Sequence, residues 1–194
     1  MIWWPEDIPT LKLGSTTLRP IVPEDAEDVF KGCQDPEIPK FTTIPSPYSM
    51  DLALAFTGKH ALERHANRSE FIFAVKDSSL KISGVAISSV NSNFAGVISL
   101  HTIDLANHRA EIGYWLNKES RGLGIGTTAV KLITEYGLMT MGFRRIYGLV
   151  DTRNEASQKV LLKAGYEYEG TLKKHVTRGD GSQIDMALFA ITKH

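Results

Sequence analysis

The sequence predicts an α+β (mixed α/β) fold: a mostly antiparallel central sheet of about six or seven strands carrying about four helices. Three observations lead there. Runs at 71–75, 84–87 and 97–100 are short, β-favouring and separated by polar turns, as in a meander. A strand-like run at 110–116 leads into the glycine-rich Arg121-Gly122-Leu123-Gly124-Ile125-Gly126-Thr127, after which Ala129, Val130, Ile133, Gly137 and Met141 recur at helical spacing. The chain then closes in two strand-like runs about the turn Arg178-Gly179-Asp180-Gly181. With 194 residues and 42% hydrophobic content, 11–194 suits one domain with a full core, and 1–10 reads as an N-terminal arm.

Each element has its own signal. Trp3, Trp4 and Pro5 suit an arm packed on the domain. A first strand runs near 11–21, with Gly14-Ser15 as a turn or bulge, and Pro23 and Glu24 open a helix reaching about Cys33. Pro36, Pro39, Pro45 and Pro47 make 35–49 too proline-rich for a regular element. A second helix near 50–66 starts after Ser49, with Asp51 in its first turn. After the meander come strand 109–117, helix 124–141 stopped by Gly142, strand 144–151, helix 154–164 stopped by Gly165, and a hairpin of 166–177 and 183–192.

The glycine turn carries the chemistry. A turn that opens a helix aims several free N–H groups at one spot, the helix dipole adds about half a positive charge, and Arg121 adds a full one. Such a spot suits a phosphate or pyrophosphate. A Walker loop fails, because Gly126 is followed by Thr127 and Thr128 rather than by Lys. A dinucleotide fingerprint fits Gly124-x-Gly126-x-x-Ala129, with Asp151 as a ribose acid, but that motif normally opens its domain and here follows a meander. A third pattern, Arg/Gln-x-x-Gly-x-Gly/Ala, is met by Arg121, Gly124 and Gly126.

On that pattern, and on Asn154-Glu155-Ala156-Ser157 with Gly165-Tyr166 at the end of the next helix, the chain resembles the GCN5-related N-acetyltransferases. Within them it resembles the RimJ/RimL-type ribosomal-protein N-terminal branch. Thr16-Thr17-Leu18-Arg19-Pro20 with Pro23-Glu24-Asp25-Ala26-Glu27, and the run from Arg109 to Leu116, match that branch over about residues 10 to 192. The resemblance implies acetyl-CoA as cosubstrate, with no metal. It also implies that the strands flanking the cofactor helix run parallel and splay apart. The cofactor-binding residues it implies are Arg121, Gly122, Leu123, Gly124, Ile125, Gly126 and Thr127 at the pyrophosphate, and backbone at Leu116 and Asn117 with Asn154 along the pantetheine arm. Asn154 also reads as a helix cap beside a Thr152–Glu155 capping box, and Lys159 as either a 3′-phosphate contact or a solvated helix lysine.

Acetyl transfer to an amine needs a neutral amine, a stabilised oxyanion and a protonated leaving thiolate. An α-amine with a pKa near 7.7–8.0 is already about a tenth neutral at pH 7, whereas a lysine near 10.4 is neutral about once in 2,500. A weak base therefore serves a protein N-terminus. Glu111 matches the family's water-relayed base, or else pairs with Arg109 or His108. Ser157, three residues after Asn154, matches the Rim-type group that assists the thiolate, since the usual tyrosine position is Leu161. The acidic residue expected after Glu169-Gly170 is Val176, and the neighbouring His175 is the alternative acceptor contact. Phe41 and Tyr48 are expected to line the acceptor mouth or to pin the proline-rich loop.

Composition limits the partners. The 22 basic and 22 acidic residues balance, which speaks against nucleic acid and offers no acidic excess for polyamines. One cysteine, Cys33, precludes an internal disulfide and fits a cytoplasmic setting; no run resembles a signal or a membrane span. The spacing of His101, Asp104 and His108 fits no zinc pattern. The expected activity is an acetyl-CoA-dependent acyltransferase acting on a primary amine, with a protein or peptide N-terminus favoured. A small-molecule or antibiotic acetylator and a non-catalytic acetyl-CoA sensor are the alternatives, in a monomer or homodimer.

Overall fold

The structure, a computed structural model, describes residues 2–80 and 93–193; the strand expected at 84–87 lies outside the described residues. Among the described residues one sheet of eight strands runs in the order β1-β2-β3-β4-β5-β6-β8-β7. These are β1 (Leu11–Leu13), β2 (Thr16–Pro20), β3 (Phe71–Asp77), β4 (Phe94–Asp104), β5 (Arg109–Leu116), β6 (Arg145–Asp151), β7 (Glu167–Thr177) and β8 (Gln183–Thr192). The strand expected at 11–21 is two, because the chain reverses at Gly14-Ser15 and β1 pairs back on β2. All neighbours are antiparallel except β5 and β6, which run parallel.

Helices cover both faces. A 3₁₀ turn at Pro23–Asp25 leads into α1 (Ala26–Gly32), and α2 (Glu37–Phe41) follows. The helix near 50–66 is α3 (Met50–Ala55), a π turn at Phe56–His60 and α4 (Ala61–Ala66), with Ser49 Oγ accepting from Leu52 N at 3.2 Å as the cap. The cofactor helix is α5 (Ile125–Glu135), continued by a π turn at Tyr136–Met141, and α6 is Glu155–Lys163. The short α2 corrects the expectation that 35–49 holds no regular element. Pro39 lies in the first turn of α2, where no N–H is needed for an intrahelical bond, so it does not break the helix.

Strand alternation divides the core into two layers. Phe71, Phe73, Val75, Ile98, Leu100, Ala110 and Ile112 face α5 and α6, packing with Ile125, Ala129, Val130, Ile133 and Leu161. Ile72, Ala74, Phe94, Val97 and Trp115 face α1, α3 and α4, packing with Ala26, Val29, Ala53 and Ala61. β3 is buried on both faces, which is why its run reads as continuously apolar. The arm packs on the first layer: Trp3 N donates to Met141 O at 2.8 Å, and the Trp4 ring meets Phe71 edge-on at 5.4 Å.

Candidate active site

The site is where β5 and β6 part. Their pairing comprises Arg109 with Arg145, Ala110 with Ile146 and Glu111 with Tyr147. Beyond Glu111 and Tyr147 both strands run on, to Leu116 and Asp151, without pairing each other. Along β5 the ladder to β4 alternates, with Asn117 N donating to Ala95 O at 2.8 Å. The backbone N–H and C=O groups of Ile112, Tyr114 and Leu116 therefore turn away from β4, towards the open slot. An extended arm carrying amides can pair there as a substitute strand.

Of the two backbone contacts expected here, one has its groups bonded within the protein and the other keeps its N–H alone. Asn117 has none to offer, since its N–H goes to Ala95 and its C=O accepts from Ser120 N at 3.0 Å. The Leu116 carbonyl already accepts from Arg121 Nε at 3.0 Å and Nη2 at 2.8 Å. Tyr114, which the sequence did not single out, has both its backbone groups turned to the slot.

At the end of β5 the chain makes a 3₁₀ turn, Lys118–Ser120, and enters the glycine turn. Gly122 and Gly124 have φ of +76° and +83°, and Gly124 is the N-cap of α5. Both positions need the left-handed backbone that glycine adopts freely, and a Cβ at either would meet open space. Thr128 N is bonded to Gly124 O at 3.0 Å, so the N–H groups of Ile125, Gly126 and Thr127 lie ahead of the helical ladder at the positive end of the dipole. Gly126 abuts Leu116 Cδ1, which seats the turn against the upper end of the slot.

Arg121 differs from expectation. Its guanidinium turns to the Leu116 carbonyl and to Asp35, with Nη2 and Oδ2 2.8 Å apart, tying the α1–α2 connection to the end of β5. Burial raises the cost of ionising Asp35, yet the Glu37 N–H and the Arg121 charge hold its carboxyl below the ordinary value. Hydropathy cannot signal this long-range clamp.

The two slot walls carry different groups. Side chains of Glu111 and Trp115, with Gly113 between them, mark the face towards α1–α4; those of Ile112, Tyr114 and Leu116 face α5 and α6. On the first wall Glu111 hydrogen-bonds the Tyr147 phenol, and burial, then the Glu111 charge, raise that phenol's pKa. The alternative partner Arg109 is instead paired with Asp104 at 3.1 Å. On the second wall the Tyr114 hydroxyl lies 2.9 Å from Ser157 Oγ and 3.2 Å from the Ser157 carbonyl. Burial pushes the Tyr114 phenol up to about 12, so it stays protonated. Glu111 and Ser157 thus stand on opposite faces at one opening.

At the start of α6, Asn154 is the cap, its Oδ1 accepting from Ser157 N at 3.1 Å; the expected Thr152 capping box gives way to it. The Asn154 amide NH₂ is left to offer a ligand. Lys159 lies on the solvated side of α6, paired with Glu155 at 3.1 Å. His175 stands exposed on the irregular part of β7, separated from β5 by β8 and β6. Tyr48 packs against the second core layer, where burial pushes its phenol up to about 12. Phe41, half-buried at the end of α2 beneath Lys40, is outside that layer. Arg178 donates to the Lys40 carbonyl and also reaches Asp151 Oδ2 at 3.1 Å, which ties α2 to the end of β6 at the slot mouth. Asp151 is therefore held by Arg153 and Arg178, and is no ribose ligand. Phe41→Ala should raise the KM for the acceptor about tenfold while leaving acetyl-CoA affinity unchanged. Steady-state kinetics with calorimetry checks it, and unchanged acceptor kinetics would make Phe41 purely structural.

Among the described residues no group of three or more His, Cys, Asp or Glu side chains is placed to hold a metal ion. Among the described residues no helix is long and apolar enough to cross a membrane.

Comparison with known proteins agrees with this geometry. The chain is 30% identical over 189 residues to an uncharacterized N-acetyltransferase, p20, of Bacillus licheniformis, covering 95% of this chain and 96% of that protein. It is 35% identical over 95 residues to the ribosomal-protein-serine acetyltransferase of Escherichia coli, covering 49% and 52%. The crystal structure of the microcin C7 self-immunity acetyltransferase MccE, in complex with acetyl-CoA and AMP, superposes with a TM-score of 0.77 at 24% identity, covering 93% of this chain and 94% of that one. Residues 16–167 match the acetyltransferase (GNAT) domain. The splayed strand pair beside a glycine turn thus has its explanation in descent: the chain belongs to the GNAT family and is an N-acetyltransferase that uses acetyl-CoA.

Proposed function

We propose that the acceptor is a single primary amine, the α-amine of a protein or peptide; about half the chain is similar to a ribosomal-protein-serine acetyltransferase, which supports a protein acceptor. The carrying observation is the charge state of the mouth. Asp35 is paired with Arg121, Asp151 with Arg153 and Arg178, and Glu70 with Arg64. Glu111, bonded to a phenol, has no cationic partner among the ion pairs of the described residues. One carboxylate suits one ammonium, whereas a polyamine would need several. The modest base is adequate for an α-amine, of which about a tenth is neutral at pH 7.

In this reading the pyrophosphate of acetyl-CoA rests on the N–H groups of 122–127, and the pantetheine arm pairs with the slot-facing backbone of Tyr114 and Leu116. The thioester then lies between the walls. Glu111 draws the proton from the amine on one side, and the Ser157 hydroxyl turns to the leaving sulfur on the other. The Tyr114 hydroxyl lies 2.9 Å from Ser157 Oγ, and when the phenol gives its hydrogen to that oxygen the serine hydrogen is free to do so. Tyr114→Phe should lower kcat about tenfold, the scale of one hydrogen bond, without changing acetyl-CoA affinity. Adding Ser157→Ala to it should cost little more, because the two act as a unit. Full additivity in the double variant would dissolve the pair.

The test is thiol release from acetyl-CoA with peptides bearing a free α-amine, matched peptides blocked at the N-terminus but retaining lysine, polyamines, amino acids and aminoglycosides. Release confined to free α-amines is the expected result. Release with polyamines or aminoglycosides alone would move the chain to the small-molecule acetylators.

A further inference from the structure

We infer that Glu111 draws the amine's proton through His101 of β4, assigned no role so far: the imidazole is the immediate acceptor and the Glu111 charge beside it balances the cation. The inference rests on the amine-acetylation reading and specifies its first wall. His101 is the cross-strand partner of Glu111, so the two side chains share the face towards α1–α4. Its ring leans one position further along β5: a Cβ on Gly113 would lie 2.7 Å from His101 Nε2. Gly113 is the first residue on that face beyond the last β5–β6 pair, so the imidazole stands over the point where the slot opens.

The ring is held there. His101 Nδ1 lies 2.9 Å from Thr102 Oγ1, and Thr102 has a φ of +49°, a left-handed backbone that a β-branched residue rarely adopts. The β4–β5 register shifts between His101 and Asp104, and such bulges re-aim side chains. With Nδ1 donating its hydrogen to Thr102, Nε2 presents a lone pair over Gly113. The charged and titratable groups around it are Glu111 on β5, Arg109 on the same face of β5 and paired with Asp104, Tyr147 on β6, and Glu70, which precedes β3 and is held by Ser99 Oγ at 2.7 Å and by Arg64. In the step itself the amine nitrogen forms the N–C bond and the C–S bond breaks with its electron pair on sulfur. The N–H proton passes to His101 Nε2, and the thiolate takes a proton from water through Ser157.

The experiment compares wild type, H101N, H101Q and G113A by kcat/KM against pH and by acetyl-CoA affinity. Asparagine keeps a group at the Nδ1 position facing Thr102 but lacks Nε2, so it separates a structural role from proton transfer. The Gly113→Ala methyl would push the ring aside while leaving the histidine present. The wild-type rate rises with pH as the amine itself loses its proton, so each variant is read as a ratio to wild type at the same pH. H101N and H101Q should fall about 100-fold at pH 7, with acetyl-CoA affinity and melting temperature unchanged. Gly113→Ala should fall likewise. Wild-type rate and pH profile in folded H101N and H101Q would overturn the assignment. Should the peptide α-amine fail in wild type and another amine be acetylated, the acceptor reading fails alone and the comparison on that amine decides His101. If wild type acetylates no amine, both fall.

Discussion

Gly124→Asp should leave a folded protein that no longer binds acetyl-CoA. The fold survives because a Cβ at this position meets open space and the residue is a helix cap, where aspartate is at home. Its φ of +83° costs a non-glycine residue about 1–2 kcal/mol, and Asp is among the residues that tolerate such backbone best. Binding does not survive, because the carboxylate sits where the pyrophosphate would rest. Two unit charges about 4 Å apart repel by about 4 kcal/mol at an effective dielectric near 20, equivalent to about a thousandfold in Kd. Gly124→Asn has a similar shape and backbone tolerance without the charge and should lose distinctly less. Calorimetric titration with acetyl-CoA, alongside a melting curve, separates the cases. A folded Gly124→Asp protein with unchanged affinity would place the cofactor elsewhere.

Glu111→Gln should cost about 100-fold in kcat with acetyl-CoA affinity intact. The glutamine can still bond the Tyr147 phenol, so the wall is kept and only the charge is lost. General base catalysis contributes typically 10²–10⁴-fold, and the lower end applies because an α-amine is partly neutral unaided. The cradle is unaffected, as Glu111 faces α1–α4 while the glycine turn opens α5 on the other face. Rates at saturating acetyl-CoA decide the matter. A variant indistinguishable from wild type, both without turnover on any amine, would favour an acetyl-CoA sensor over an enzyme.

Local signals were legible and long-range ones were not. The glycine turn, α5 with its stop at Gly142 and the closing hairpin were readable because periodicity and punctuation report on neighbours in the chain. The β1–β2 reversal was ambiguous, since Gly14-Ser15 suits a bulge as well as a turn. The helix α2 escaped because counting prolines ignores where in a turn each one falls. At the site, the family resemblance singled out Glu111 and Ser157, and the fold puts them on opposite walls. Arg121 meeting Asp35, Tyr114 meeting Ser157 and His101 lying over Gly113 are contacts between elements, and alternation tells which face a residue occupies, not what stands opposite. A lone histidine on a strand is a weak sign by itself, and its lean over Gly113, the partner of Ser99, is read only from the fold.

The most direct test of the account is a crystal structure of the protein with acetyl-CoA. It should show the pyrophosphate on the N–H groups of 122–127, the pantetheine amides paired with the Tyr114 and Leu116 backbone, and the thioester between Glu111 and Ser157. A cofactor whose pyrophosphate lies off the glycine turn, or whose thioester stays outside the β5–β6 slot, would contradict it.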